Sequence, residues 1–233
     1  MRRALLPVLV IAAAACAATR SDPGVVAAAP DAESQPSAGG AGLTPVRPSE
    51  LLPTSGEIAP DGPWQFSIRS PTFRAELGHS PRSAVGIAFV YRGPTATDEP
   101  LTSGELRRQI GLKLRARDTC NVVYVMWHIE PSSRIAVSVK SNPGQQRHSQ
   151  CSDRGYAFLQ PSSSAPVGVI KAGERHVLEA VVRDRQLRVS TDGAASWVGE
   201  LPLEAFTFDG PVGLRSDNGE FSVELRAGAP AHD

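Results

Sequence analysis

Three basic residues at alternate positions mark the segment of the chain best suited to bind a ligand. Lys113, Arg115 and Arg117 are two residues apart, so on a β-strand their side chains point to one face. Residues of the segments that follow are expected to point the same way, and these are Tyr124, His128, Ser138 and Lys140. Aromatic rings stack on sugar rings, and Lys and Arg pair with carboxylate or sulfate groups. The alternative interpretation is a solvated outer face, which one-sided sheets commonly have.

Two glutamates near the C-terminus are the nearest approach to a hydrolase motif. Glu220 and Glu224 lie on one predicted strand, with Ser222 between them. Retaining hydrolysis of a glycoside needs two carboxyl groups about 5–5.5 Å apart, and nothing in this spacing brings the two together. We therefore expect a solvated strand edge here. The chain has no Gly-x-Ser-x-Gly and no His-Glu-x-x-His, and we assign no catalytic residue.

Cys120 and Cys151 are predicted to form a disulfide, because two cysteines in an exported chain most often pair. The bond would close a loop of roughly 32 residues and stabilise the fold by about 3–4 kcal/mol in the chain-entropy model. The alternative is a metal site that includes His128 and His148, which lie inside this loop. Only His148 and Cys151 have the close spacing typical of zinc ligands, so we predict no metal and no cofactor.

The elements that must position these residues are short strands. Twenty Pro and 21 Gly beside only two Met are typical of a turn-rich β protein. Apolar residues alternate with a period of two from near Gly62 to Arg226, and residues 121–129 are apolar on both faces, which indicates a central strand. Nine or ten strands are predicted, and residues 103–109 are the only helix candidate. The pattern predicts an all-β, antiparallel two-sheet sandwich or a barrel.

Two hairpins are predicted in the last third of the chain. Residues 177–183 and 186–191 flank Asp184-Arg185. Residues 212–216 and 220–226 flank Asn218-Gly219, a strong signal for a type I′ hairpin turn. This turn also explains the oxygens of Asp217 and Asn218, which would otherwise be candidates to bind Ca²⁺.

The same region resembles the closing hairpins of concanavalin A-like jelly rolls. The resemblance covers residues 174–226 by motif and residues 62–170 by strand pattern. The motifs that carry it are His176-Val-Leu-Glu-Ala-Val-Val-Arg, Gln186-Leu-Arg-Val-Ser-Thr-Asp192-Gly193, Trp197, and the run from Phe208-Asp-Gly210 to Gly219-Glu-Phe221. That superfamily includes laminin-G-like domains, legume-type lectins and glycanases. The resemblance implies a jelly-roll β-sandwich whose concave sheet presents the basic row to a glycan. Its glucanases carry Glu-x-Asp-x-Glu, and Ser222 replaces the central Asp here.

The first 16 residues have the form of an export signal. Arg2 and Arg3 precede an apolar run of 12 residues, which is too short to span a bilayer about 30 Å thick. The run ends at Ala13-Ala14-Ala15-Cys16, which resembles the lipobox of bacterial lipoproteins except that Ala13 stands where Leu is preferred. Cys16 is the predicted lipidation site, and ordinary cleavage before Ala18 is the alternative. Ala17 is not acidic, which favours the outer membrane by the sorting rule of such lipoproteins.

The segment after the signal is predicted to be a linker. Of residues 17–50, 23 are Ala, Pro, Ser, Gly or Thr and none is aromatic, so this stretch cannot bury enough apolar area to order itself. We therefore predict a signal peptide over residues 1–16, a disordered linker over residues 17–60, the sandwich over residues 61–228 and a tail over residues 229–233.

The charge balance argues against nucleic acid as a partner. The chain has 24 basic and 24 acidic residues, and removal of residues 1–16 leaves 22 basic and 24 acidic ones. We predict a lipid-anchored protein of the cell envelope that binds a polysaccharide, neutral or acidic, without acting on it. The predicted ligand-binding residues are Lys113, Arg115, Arg117, Tyr124, His128 and Lys140. The alternatives are a glycan hydrolase or lyase on the same fold, and a module that binds other envelope proteins.

Overall fold

The computed structural model describes residues 42–230. The predicted signal segment, Cys16 and the first part of the predicted linker lie outside the described residues. Within residues 42–230 no helix is both long and apolar enough to cross a bilayer.

Sixteen strands are present in the described residues. They are β1 (Thr44–Pro45), β2 (Leu51–Ser55), β3 (Ile58–Pro60), β4 (Phe66–Ile68), β5 (Thr72–Leu77), β6 (Ala84–Pro94), β7 (Arg108–Leu114), β8 (Val122–Glu130), β9 (Arg134–Lys140), β10 (Tyr156–Phe158), β11 (Ser163–Ser164), β12 (Arg175–Arg183), β13 (Gln186–Thr191), β14 (Ala194–Glu200), β15 (Gly213–Asp217) and β16 (Gly219–Ala227). The helical segments are short, and they are α1 (His148–Cys151) and two 3-10 helices, Pro48–Glu50 and Leu203–Phe206.

The strands form two antiparallel sheets. The nine-stranded sheet has the order β11-β14-β13-β12-β6-β16-β4-β3, and β1 also pairs with β16. The seven-stranded sheet has the order β10-β9-β8-β7-β15-β5-β2. The all-β sandwich predicted from the period-two pattern is confirmed, with most strands joining partners that are distant in the sequence.

One apolar core lies between the two sheets. On β8, Val123, Val125 and Trp127 belong to this core, while the alternate residues point to the other face of the sheet. Trp127 meets Phe89 of the nine-stranded sheet edge to face, with ring centres 5.9 Å apart. Such a pair contributes about 0.5–1.5 kcal/mol beyond the apolar area it buries. The alternation of β8 therefore fixes which of its side chains remain available for a ligand.

The folded part begins about 18 residues earlier than the predicted start near Gly62. Thr44 and Pro45 pair with Ala227 and Arg226 at the end of β16. Val46 and Leu51 are buried in the core, so residues 44–60, which were assigned to the linker, belong to the sandwich and contain β1, β2, β3 and a 3-10 helix. The composition of residues 44–60 does not indicate that they are folded, because only a few of them pack against the apolar core.

The connection at Asn218 differs from the predicted hairpin. Residue 218 has the positive φ (55°) that an Asn tolerates, but β15 and β16 on either side of it belong to different sheets. Its side-chain amide accepts a hydrogen bond from Glu99 N (2.8 Å) and donates to Glu99 O (2.9 Å) and Arg107 O (3.2 Å). Asn218 therefore joins the sheets and anchors the loop of residues 95–107. The other predicted hairpin, around Asp184-Arg185, is confirmed as β12 and β13.

Residues 103–109 form a turn and the start of a strand, whereas a short helix was expected. Leu101 N donates to Glu105 O and Gly104 N to Leu101 O, and Gly104 has a φ of 82° that favours glycine. Strand β7 then begins at Arg108 and pairs with β8. In the described residues, the only α-helix is α1.

Candidate functional site

A cleft of about 550 Å³ lies on the outer face of the seven-stranded sheet. Its floor is formed by alternate residues of β7, β8, β9 and β15, and its walls by residues 100–107 and by residues 148–156. The walls shield the floor from water, so Tyr124, Met126 and His128 are buried although they point away from the core. This explains why residues 121–129 read as apolar on both faces.

The floor consists of rows of cross-strand partners. One row is Glu76, Gly213, Lys113, Tyr124, Ser138 and Phe158. The central row is Arg74, Arg215, Gly111, Met126 and Ala136. The next row is Thr72, Asp217, Gln109, His128 and Arg134. Lys140 and Tyr156 are partners at the other end.

Two glycines give the floor its shape. Gly111 and Ala136 put small residues in the central row, and a Cβ added to Gly111 would lie 2.7 Å from Met126 Sδ. Gly213 lies between Glu76 and Lys113, and its missing side chain lets Lys113 Nζ reach the Glu76 carboxylate over β15. Gly111 and Ala136 thus add little bulk to the central row, which also holds the long side chains of Arg74, Arg215 and Met126.

Four of the six predicted ligand-binding residues line the cleft. These are Lys113, Tyr124, His128 and Lys140. Ser138, which was expected to point the same way, lines it as well.

Arg115 and Arg117 do not line the cleft, because strand β7 ends at Leu114. Arg115 has a φ of 51°, which breaks the alternation. Its guanidinium donates to Ala205 O (2.9 Å) and Phe208 O (2.8 Å) and lies over the ring of Phe206. Arg117 lies in the turn that follows, where its backbone N–H donates to Asn121 O. Both residues are therefore wrong as members of the basic row.

Several cleft residues were not among the predicted ligand-binding residues, although His148 and Asp217 were considered as metal ligands. They are Arg74, Arg107, Gln109, His148, Tyr156, Phe158, Arg215 and Asp217. Arg215 alternates with buried Leu214 on a predicted strand, so the same period that indicated Lys113 could have found it. Tyr156 and Phe158 lie on a three-residue edge strand whose sequence carries no clear period.

Asp217 holds the polar groups at one end of the floor. Its carboxylate accepts from Arg215 Nε (2.8 Å) and Nη2 (3.2 Å) and from Gln109 Nε2 (2.7 Å). Arg74 Nη2 lies 3.8 Å from the same carboxylate. Burial alone would lower the pKa of Arg215, but Asp217 together with Tyr124 and Tyr156 outweighs burial, and the pKa is raised. Arg215 is therefore a fixed cation in the floor of the cleft.

Lys140 is almost completely buried beside the predicted disulfide, which is confirmed as Cys120–Cys151. Its ammonium donates to Thr119 O (3.2 Å) and Ser152 O (2.6 Å), the carbonyls next to the two cysteines. It also lies 5.1 Å from the centre of the Tyr156 ring. Burial, followed by Arg215 and Arg74, lowers the pKa of Lys140. The disulfide thus holds the two loops that position this cation.

His128 lies between two arginines. Arg134 Nε donates to His128 Nδ1 (3.2 Å), and Arg107 Nη1 lies 3.3 Å from Nε2. Burial, followed by Arg107 and Arg134, lowers the pKa of His128 to about 3. The imidazole is therefore neutral at physiological pH.

Three aromatic rings form a stacked row at the open side of the cleft. Tyr124 and Tyr156 have ring centres 6.3 Å apart with an angle of 24° between their planes, and Tyr156 and Phe158 are 6.5 Å apart with an angle of 18°. Phe158 is 66% exposed, whereas Tyr124 is buried. Burial raises the pKa of Tyr156, so its hydroxyl is protonated at physiological pH. The row therefore runs from a buried ring in the floor to an exposed ring at the rim.

The paired glutamates lie elsewhere. Glu220 and Glu224 are on β16, in the nine-stranded sheet, and Glu224 pairs with Arg226 (2.6 Å). Four residues along one strand span about 13 Å, which is too far for the pair of acids in a retaining hydrolase. In residues 42–230 no group of three or more His, Cys, Asp or Glu is arranged to hold a metal ion.

Comparisons with known proteins give a fold. No family model matches the chain, and no curated protein does either. The carbohydrate-binding module CBM66 from Bacillus subtilis is similar in structure, with a TM-score of 0.51 at 10% identity over 75% of this chain and 92% of that chain.

Two other solved structures have lower scores. The metal-free form of the Emp46p carbohydrate recognition domain has a TM-score of 0.46 at 10% identity, over 78% of this chain and 89% of that chain. The Crh5 transglycosylase has a TM-score of 0.44 at 11% identity, over 78% and 81%. The two-sheet architecture, with the structural match to the carbohydrate-binding module, shows that residues 42–230 have a jelly-roll β-sandwich fold.

Proposed function

We propose that the cleft on the seven-stranded sheet binds a glycan without acting on it. The observation that carries this proposal is the stacked row of Tyr124, Tyr156 and Phe158 beside a floor of hydrogen-bond donors. Sugar rings have apolar faces that pack on aromatic rings and hydroxyl edges that need polar partners. The volume of about 550 Å³ is within the range of roughly 300–1,000 Å³ typical of small-ligand sites.

The exposure of Phe158 supports this proposal. The Phe158 ring is 66% exposed, so in the free protein much of its apolar surface remains in contact with water. A sugar ring packed on it would remove that surface from water, which is favourable. Full burial of such a side chain contributes about 1.5–3 kcal/mol. The similar structure from Bacillus subtilis is described as a carbohydrate-binding module, which is consistent with such a role for this fold.

The chemistry of the cleft favours binding over catalysis. Asp217 and Asp153 are the carboxylates that line it, and Asp217 is held by Arg215 and Gln109. A general base works best with a pKa near the working pH, but the pKa of His128 is about 3 and that of Tyr156 is raised. Neither group is prepared to remove a proton from a substrate.

A polysaccharide lyase is the second candidate, because tyrosines, histidines and cations converge in this cleft. Elimination needs a cation on the uronate carboxylate, a base for the adjacent proton and an acid for the leaving oxygen. Tyr124 and Arg215 supply a phenol and a cation within one site, whereas His128, with its lowered pKa, is not prepared to act as the base. Release of unsaturated uronide by the purified protein would favour this function.

The test is binding of the purified protein to a panel of neutral and acidic polysaccharides, with product release followed in the same samples. We expect binding without product, and Phe158→Ala should weaken it by about tenfold or more, which corresponds to the loss of about 1.4 kcal/mol. Leu203→Ala is the matched control, since Leu203 is equally exposed and does not line the cleft. Equal affinity of the Phe158→Ala variant would refute the proposed platform. If the purified protein binds no polysaccharide of the panel, the result would instead favour the protein-binding alternative.

We further propose that the chain is exported and anchored at the cell envelope by a lipid on Cys16, with residues 17–41 as part of the tether. The supporting observation is the apolar run that ends at Ala15-Cys16. Mass spectrometry of the mature protein is expected to find a lipidated N-terminal cysteine. An unmodified chain that begins at Ala18 would contradict the anchor.

A further inference from the structure

The charges of the cleft do not cancel evenly along its length. Arg107 and Lys113 each have a carboxylate of their own, Glu105 and Glu76 respectively. Three further cations line the cleft, Arg74 and Arg215 in the central row and Lys140 beyond the row of Lys113. Arg215 and Arg74 act electrostatically on Lys140, and we refer to these three cations as the cationic end.

The cationic end has one well-placed carboxylate for its three cations. Arg74 and Arg215 are direct cross-strand partners, an arrangement that is unfavourable for like charges. Asp217 is bound tightly by Arg215, whereas Arg74 reaches it only at 3.8 Å. The side chain of Arg74 lines the cleft and is 27% exposed, so part of it is open to a ligand.

Lys140 contributes a second incompletely compensated charge. Its ammonium is held by two carbonyl oxygens, and among the described residues no carboxylate oxygen lies within 4 Å of it. Asp153, which also lines the cleft, is exposed to solvent. Asp118 also acts on Lys140, but its carboxylate accepts from Cys120 N and Asn121 and does not line the cleft. Among the residues that line the cleft here, three cations against Asp217 and Asp153 leave one positive charge in excess.

The neighbouring titratable groups respond to this excess. Burial is the main cause of the lowered pKa of His148, and Lys140 and Arg74 lower it further. The pKa of Lys140 is likewise lowered by burial and then by Arg215 and Arg74. An anion placed here would relieve the repulsion among these groups.

We propose that the cationic end is a subsite for the carboxylate or sulfate of an acidic glycan, with the sugar that bears it packed on Tyr156 and Phe158. This inference rests on the proposed glycan-binding function. The geometry that supports it is the position of Lys140, which is the cross-strand partner of Tyr156 and contacts its ring face. A cation at the foot of a stacking platform recognises the ring and its acidic substituent together. Charge-assisted hydrogen bonds of this kind are shorter and stronger than those between neutral groups.

The test compares acidic polysaccharides with their neutral forms. The probes are polygalacturonate and its methyl ester, and dextran sulfate and dextran. We expect tighter binding of the acidic member of a pair, with an affinity that falls as salt rises. Arg74→Gln should weaken binding of that acidic polymer by about tenfold, a larger loss than the same variant shows for the neutral form. Lys140→Met gives a second measurement of the loss of binding to the acidic polymer. Arg188→Gln is the control, because Arg188 is an exposed arginine of the nine-stranded sheet.

The outcomes separate this inference from the proposed function. Equal binding of acidic and neutral forms, unchanged in Arg74→Gln, would refute the anion subsite and leave glycan binding intact. An equal loss in Arg188→Gln would show diffuse polyelectrolyte attraction and also refute the subsite. Failure to bind any probe, acidic or neutral, together with failure on the wider polysaccharide panel, would refute both. A response to polygalacturonate alone or to dextran sulfate alone would identify which acidic group the cationic end binds.

Discussion

Removal of the Cys120–Cys151 disulfide should affect both stability and the cleft. The bond joins residues 31 positions apart in the chain, so in the chain-entropy model its loss costs about 3–4 kcal/mol of the free energy of unfolding. With a urea dependence of about 2 kcal/mol per molar, the midpoint of unfolding should fall by about 1.5–2 M.

The effect on the cleft follows from Lys140. Its two acceptors, Thr119 O and Ser152 O, directly flank the bonded cysteines. Without the bond, the two loops are free to separate, and the ammonium loses its fixed position. Reduction should therefore weaken binding of an acidic glycan more than binding of its neutral form.

Urea unfolding of the oxidised and the reduced protein tests the stability, and titration with a glycan pair tests the cleft. The double variant Cys120→Ser/Cys151→Ser is the control, because its stability and affinity should not respond to reductant. A difference below about 0.5 kcal/mol between oxidised and reduced protein would refute the reasoning on stability. An unchanged preference for the acidic form, in reduced protein that is still folded, would refute the link between the disulfide and Lys140.

Three further predictions concern other parts of the molecule. Ala136→Leu should fill the central row of the floor, so calorimetric titration is expected to show loss of glycan binding, while the melting temperature changes little. Unchanged affinity would contradict the assigned floor. Because the pKa of His128 is lowered to about 3, the unfolded chain binds a proton below about pH 6.5 that the folded chain does not, and stability falls as pH falls through this window. Urea unfolding measures the free energy of unfolding at pH 7 and at pH 5. Between these two pH values His128→Asn should lose about 2 kcal/mol less of it than the unchanged protein, and equal losses would contradict a neutral buried imidazole. Asn218→Gly keeps the positive φ but removes three side-chain hydrogen bonds, so chemical denaturation should show a loss of about 1–3 kcal/mol, and full stability would contradict its anchoring role.

Period-two alternation predicted the class of fold and part of the cleft. Lys113 and Tyr124 were identified because each alternates with apolar residues that the core requires, and cross-strand pairing then places them side by side. The same rule failed at Arg115, where a positive φ ends the strand while the alternation of residue types continues. A pattern of residue types reports the face of a strand only as far as the strand extends.

Pairing between distant segments accounts for the rest. Arg74 faces Arg215, about 140 residues later, and no local pattern indicates that these two strands are neighbours. Asn218 has the residue type of a hairpin turn, yet hydrogen bonds to the loop of residues 95–107 fix it as the junction between two sheets. Likewise Thr44 and Pro45 are strand residues only because the end of β16 is available to pair with them.

The central claim, that the cleft on the seven-stranded sheet is the glycan site, is tested most directly by chemical-shift mapping. The purified protein would be titrated with the glycan that binds best in the panel. The account predicts the largest shifts at the cleft residues, namely Arg74, Tyr124, Lys140, Tyr156 and Phe158. Shifts confined to the outer face of the nine-stranded sheet, with these residues unmoved, would contradict it.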